Sequence, residues 1–163
     1  MRPFLTYSAI IIIASCNQPS GLNETDKANI IKEIHQTLSN YYSDIKKDGL
    51  TAELKYLDHS ADFFWVPPGY AGAISYDSVS TILKQNAPLF SLIDNSYDTL
   101  RIIPLSRDLA TYTGRLKSIM TDTSNKSISF SLLETGVLIK RDDGWKLLHG
   151  QTTTLNKWNY YLY

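Results

Sequence analysis

Residues 144–153 read GWKLLHGQTT, and the way this stretch alternates decides the fold class. Trp145, Leu147, His149, Gln151 and Thr153 fall on one side of an extended chain, and Lys146 and Leu148 on the other. That period of two is the mark of a β-strand with one buried face. Asp143-Gly144 ahead of it is a tight-turn signal. Working outward, strands are expected near 97–104, 109–120, 128–140 and 144–154, with SRD, DTSNK and RDDG as the turns between them. Gly114 and Gly136 lie inside strand patterns and predict bulges or bends in a curved sheet. Pro104 belongs at a strand end or edge.

The first half of the chain has a different period. Ile30, Ile31, Ile34, Leu38, Tyr41, Tyr42 and Ile45 recur at steps of three and four, which predicts one long amphipathic helix. Thr25 is the expected N-cap, with Asp26 in the first turn, and Gly49 closes the far end. A short second helix is expected over 51–57. ADFFWVPPG then predicts a short strand stopped by Pro67-Pro68-Gly69, and Ser75 caps a third helix that Pro88 limits. Helices first and a meander of strands afterwards predict an α+β domain, with three helices on one side of a strongly curved antiparallel sheet.

The chain has 163 residues, 16 basic and 16 acidic. That length favours one domain with a real core. No basic run stands out, so a nucleic-acid partner is not expected. The start, MRPFLTYSAIIIIASC, pairs a basic Arg2 with an apolar run too short to span a bilayer, the pattern of a secretory signal. Ile13-Ala14-Ser15-Cys16 resembles a bacterial lipobox, and Cys16 is the only cysteine. The expected organisation is therefore a lipoprotein signal peptide over 1–15, a tether over 16–24 carrying a lipidated Cys16, and one domain over 25–163. The expected location is the cell envelope, with the lipid as membrane anchor.

The order of elements is similar to the nuclear transport factor 2-like superfamily, particularly its SnoaL-like and DUF4440-like branches. Three stretches carry the likeness: the long helix running into DGLTAELKYLDHSADFFWVPPG, the helix GAISYDSVSTIL, and the closing GWKLLHGQTT. The resemblance implies a cone-shaped α+β fold, a pocket between sheet and helices, and a homodimer through the outer sheet face. It implies no single activity, since one fold hosts many.

His149 is the first candidate for chemistry. On an inward strand face it could act as a general base, because its ordinary pKa lies near neutrality. A hydrogen-bonded core histidine is the alternative. Gln151 and Thr153 share its expected face and could orient a ligand. Counting back from Gly49, Tyr42 resembles the helix tyrosine that donates an oxyanion hydrogen bond in ketosteroid isomerases of this superfamily. Those enzymes carry a catalytic carboxylate just ahead of the matching proline, whereas Trp65 and Val66 stand before Pro67 here. Asp58, His59 and Asp62 cluster where dehydratase relatives keep acid and base groups; a cap and solvated loop is the plainer account. Trp65, Tyr70 and Tyr76 read as the rim of a pocket. His35, His59 and His149 lack metal-site spacing, and neither a metal nor a cofactor is expected. Two functions follow. The first is a membrane-tethered module that binds a small, largely apolar molecule or an envelope partner. The second is a small-molecule lyase, isomerase or hydrolase with His149 as its base.

Overall fold

The structure, a computed structural model, describes residues 21–155. The leader, Cys16 and the aromatic KWNYYLY at the C-terminus lie outside the described residues. Helix α1 spans Glu24–Asp48 and buries Ile30, Ile34, Leu38, Tyr41, Tyr42 and Ile45. Its N-cap is Asn23, whose side chain accepts from the Asp26 amide at 2.8 Å, and not Thr25. Asparagine is the stronger cap and brings Glu24 into the first turn, where the helix dipole favours an acid. Gly49 ends the helix at φ 85°, a conformation that favours glycine. The second helix is a 3₁₀ segment, Leu50–Tyr56. Helix α2, Tyr76–Asn86, starts at Ser75 as expected, and Ala87–Leu89 adds a 3₁₀ turn around Pro88.

Five strands form one sheet in the order β1-β5-β4-β3-β2. They are β1 Phe64–Val66, β2 Phe90–Pro104, β3 Leu109–Asp122, β4 Ser127–Arg141 and β5 Gly144–Thr154. The sheet is mixed: β1 runs parallel to β5 and the other pairs are antiparallel. Strand β2 starts seven residues earlier than the sequence pattern shows, because SLIDNS lacks a clean alternation. Bulges between Phe90 and Leu92 and between Tyr97 and Thr99 absorb the mismatch. Inward residues of β3 and β4 alternate without a break through Ala110, Tyr112, Leu116 and Ser118, and through Leu132, Glu134, Gly136 and Leu138.

The helices lie on this inner face. Ile34, Leu38, Leu116 and Leu138 are almost entirely buried between the layers, and each such side chain contributes roughly 1.5–3 kcal/mol. Two polar clips hold α1 in place. Glu33 accepts from Trp145 Nε1 at 2.9 Å and from Lys140 at 2.7 Å. Lys46 donates to Asp94 on β2 at 2.7 Å. The tryptophan of the Gly-Trp motif is thus a helix anchor.

Gly114 and Gly136 do not mark bulges. Both sit in register, and what they supply is room for rings. A Cβ on Gly114 would lie 2.5 Å from the Tyr97 ring, and one on Gly136 would lie 2.9 Å from the Tyr112 ring. Gly136 pairs with Gly150 across β4 and β5, and the Trp65 indole covers both. A Cβ on Gly150 would meet the Thr135 carbonyl oxygen, lie 2.8 Å from Gly136 Cα and lie 2.8 Å from the indole. Backbone cannot yield as a flexible side chain can. Gly150→Ala is therefore expected to cost about 1–3 kcal/mol in urea unfolding and to shift Trp65 fluorescence. An unchanged midpoint and spectrum would mean that the ring does not rest on this pair.

Candidate functional site

A half-enclosed cavity of about 250 Å³ lies between the inner sheet face, α1, the 3₁₀ segment and α2. Its walls are mainly apolar and aromatic: Tyr41, Tyr42 and Ile45 from α1, Leu50 from the 3₁₀ segment and Leu57 just after it, Val79 and Leu83 from α2, and Leu116, Met120, Phe130 and Leu132 from the sheet. Trp65, Pro67, Pro68 and Ile74 close another side. Glu53, Asn95, Ser118, Glu134 and Thr152 are the polar members. Among the described residues no lysine, arginine or histidine lines it.

Glu134 is 5% exposed. Four hydroxyls converge on its carboxyl group. Tyr112 donates at 2.7 Å, Tyr97 at 3.0 Å, Tyr42 at 3.2 Å and Thr152 at 3.3 Å. Trp65 Nε1 donates to Thr152 Oγ1 at 3.1 Å, so the indole is held by the same network. Burial pushes the Glu134 pKa above the ordinary carboxylate range, and the four hydroxyls draw it part of the way back. The same burial, with the neighbouring carboxylate, raises the three tyrosines well above 10.

Glu53 is the second acid. It comes from the 3₁₀ segment, lines the cavity and remains partly accessible through it. Burial raises its pKa to about 7; the Tyr41 hydroxyl opposes that rise and the Glu134 charge adds to it. A carboxyl group half-ionised near neutrality, facing an apolar cavity, is suited to take or give a proton. Asn95 also lines the space, and its buried Oδ1 has no hydrogen-bond partner.

The structure divides the residues singled out by sequence. Tyr42 and Trp65 reach the cavity, where Thr152, which the sequence did not single out, joins them. His149 does not reach it. A bulge at Leu148 breaks the register between Val137–His149 and Leu138–Leu147. Trp145 and Leu147 stay inward, Thr152 returns inward, and His149, Gln151 and Thr153 turn to the other face. The expectation of one continuous alternation is therefore corrected. His149 instead stacks on Phe64 of β1, centroids 4.6 Å apart and planes 1° from parallel. Gln151 and Thr153 are exposed. Tyr70 is 48% exposed and away from the cavity. Tyr76 packs against His59 and Phe63, outside the lining.

Asp58 and His59 belong to a separate surface cleft. Asp58, 4% exposed, receives both Arg141 nitrogens at 2.7 and 3.0 Å, which holds its pKa below the ordinary value. It clamps the β4–β5 turn to the segment before β1. Asp62 is exposed, in step with the buried Phe63. Glu53 and Glu134 escaped the sequence reading. Glu134 has a signal, an acid in alternation with Leu132, Gly136 and Leu138. Glu53 sits in a short segment with too few turns to show a face. Among the described residues no cluster suits a metal ion, and no helix is long and apolar enough to cross a membrane.

No family model and no curated protein matches the chain. Solved structures do. A nuclear transport factor 2-like superfamily protein from Salmonella enterica serovar Typhimurium superposes with TM-score 0.68 at 15% identity, over 83% of this chain and 98% of that one. A candidate scytalone dehydratase from Novosphingobium aromaticivorans gives 0.70 at 15%, over 81% and 89%. Hexachlorocyclohexane dehydrochlorinase LinA-type3 from Novosphingobium barchaimii gives 0.64 at 16%, over 82% and 92%. At these identities the likeness establishes the fold, an NTF2-like α+β cone, as the sequence resemblance implied.

Proposed function

We propose that this NTF2-like domain takes a small, largely apolar molecule into its cone and moves a proton on it, as a lyase or isomerase does, with Glu53 as the acid–base group. The observation that carries this reading is the placement of Glu53: a carboxyl raised to about 7 beside a second buried acid, on the wall of an apolar cavity. A general acid–base group works best with its pKa near the working pH. Two of the superposed structures are named for removing water or hydrogen chloride from a small molecule, which supports elimination over simple binding. His149 has no part in this chemistry, because the bulge turns it away. The Trp65–Thr152–Glu134 network fixes the aromatic wall against which the molecule rests. The lipobox-like Ile13-Ala14-Ser15-Cys16 adds a lipid tether that would place the cone at an envelope membrane.

The test is a panel of small hydrophobic alcohols, ketones and amines incubated with the protein in D₂O and followed by NMR. At least one should exchange a carbon-bound proton or lose a leaving group, at a rate rising as pH passes through about 7. Glu53→Gln should lower that rate by about 10²–10⁴-fold. Full activity in Glu53→Gln, or no turnover of any compound that binds, would refute the reading.

A further inference from the structure

We infer that the ligand of this cavity carries a positive charge: a hydrophobic organic ammonium, an amine on an aromatic or aliphatic body. This rests on the cavity reading above and narrows it to a substrate class.

Charge makes the first case. Two carboxyl groups, Glu53 and Glu134, line one half-enclosed space, and among the described residues no cationic side chain lines it with them. Each raises the other's cost of ionisation, since Glu134 adds to the burial penalty on Glu53. An anionic guest would add a further like charge in a poorly solvated volume, and a neutral guest would leave the cost of ionising the two acids as it stands. A cation relieves it, and in such a site the attraction is stronger than in water.

The walls make the second case. Tyr41, Tyr42 and Trp65 supply aromatic surfaces that attract an ammonium group while burying its hydrocarbon body. Asn95 makes the third. Its Oδ1 is an acceptor with no donor in the described structure. The terminal torsion of an asparagine is soft, so the amide can turn this oxygen toward an N–H in the cavity. Glu134 is already occupied by four hydroxyls, so Glu53 is the carboxylate left to pair with the cation.

Volume limits the guest. A cavity of about 150 Å³ holds benzene, so the 250 Å³ here suits a single ring with a short side chain. The experiment uses three probes of that size that differ in charge: 2-phenylethylammonium, 2-phenylethanol and phenylacetate. Binding to the full chain is measured by calorimetry at pH 7.5 and low salt. The ammonium should bind at least about tenfold tighter than the alcohol, and phenylacetate weakest of the three. In Glu53→Gln the preference for the ammonium over the alcohol should disappear. Asn95→Leu should weaken the ammonium several-fold.

An alcohol that binds as tightly as the ammonium, or phenylacetate binding tightest, would overturn the cation assignment and leave the cavity reading standing. A preference for the ammonium that survives in Glu53→Gln would overturn its placement in this cavity. Failure of all three probes to bind would overturn both. The wild-type comparison decides the matter even if a variant fails to fold.

Discussion

Glu53→Gln is expected to make the protein more stable at pH 8 by about 3 kcal/mol, relative to its effect at pH 4.5. The folded pKa of Glu53 is about 7, against an ordinary 4.5. Between those values the folded chain holds a proton that the unfolded chain has released. Stability therefore falls as pH rises through this window, by about 1.4 kcal/mol per unit, and levels off above it. Glutamine has no proton to lose, so the difference between variant and wild type should climb from pH 4.5 to about 7 and then stay flat. Glu134 has a raised pKa as well and works in the same direction, and its coupling to the Glu53 charge, lost in the variant, adds to the difference in the same sense. Asp58 and Glu33 have lowered values, so their stabilisation is lost only as pH falls into the acid range. Urea unfolding at half-unit steps of pH would show the curve. A flat difference from pH 4.5 to 8 would remove Glu53 as a buried acid, and with it the base of the proposed reaction.

Glu134→Leu is expected to cost about 3–5 kcal/mol, because it removes the acceptor on which three tyrosines and a threonine converge. Leucine avoids the cost of burying a carboxylate, which offsets part of this. It also leaves the hydroxyls of Tyr42, Tyr97 and Tyr112 without their shared acceptor. Glu134→Gln keeps one acceptor oxygen and should cost less, about 1–2 kcal/mol. The order of the two variants is the diagnostic result. If leucine is tolerated as well as glutamine, the carboxyl group is not the hub of the network. Trp65, tied to it through Thr152, would then need another reason for its position.

Much of this architecture was legible in the chain because it depends on local periodicity. Residues 24–48 repeat at helical spacing over seven turns, and a long pattern survives a misplaced cap such as Thr25. Residues 109–120 and 128–140 alternate cleanly, because one face is buried and the other is wet. The start of β2 is not legible because adjacent apolar residues, Leu92 and Ile93, followed by three polar ones break the alternation. The short 3₁₀ segment was recognised as helical, but seven residues are too few to say which side chains meet the cavity.

The candidate site was less legible. His149 looked inward because a strand was assumed to alternate without interruption. The adjacent pair Leu147-Leu148 is the visible sign that it does not, but a bulge depends on the register with the partner strand, and neither strand's own pattern fixes that register. Glu134 was in plain alternation with apolar residues, yet its meaning depends on hydroxyls from α1, β2, β3 and β5 arriving at one point.

The sequence by itself determined the helix-then-meander order and the sheet with one buried face, since each follows from backbone periodicity and turn chemistry close along the chain; the likeness to an NTF2-like cone came from the resemblance of three stretches. Only the tertiary structure decided which face His149 takes, which acids share a cavity and which of them four hydroxyls engage. Those are properties of residues tens of positions apart. The desolvation and hydrogen bonding that set their charge exist only once the layers have closed.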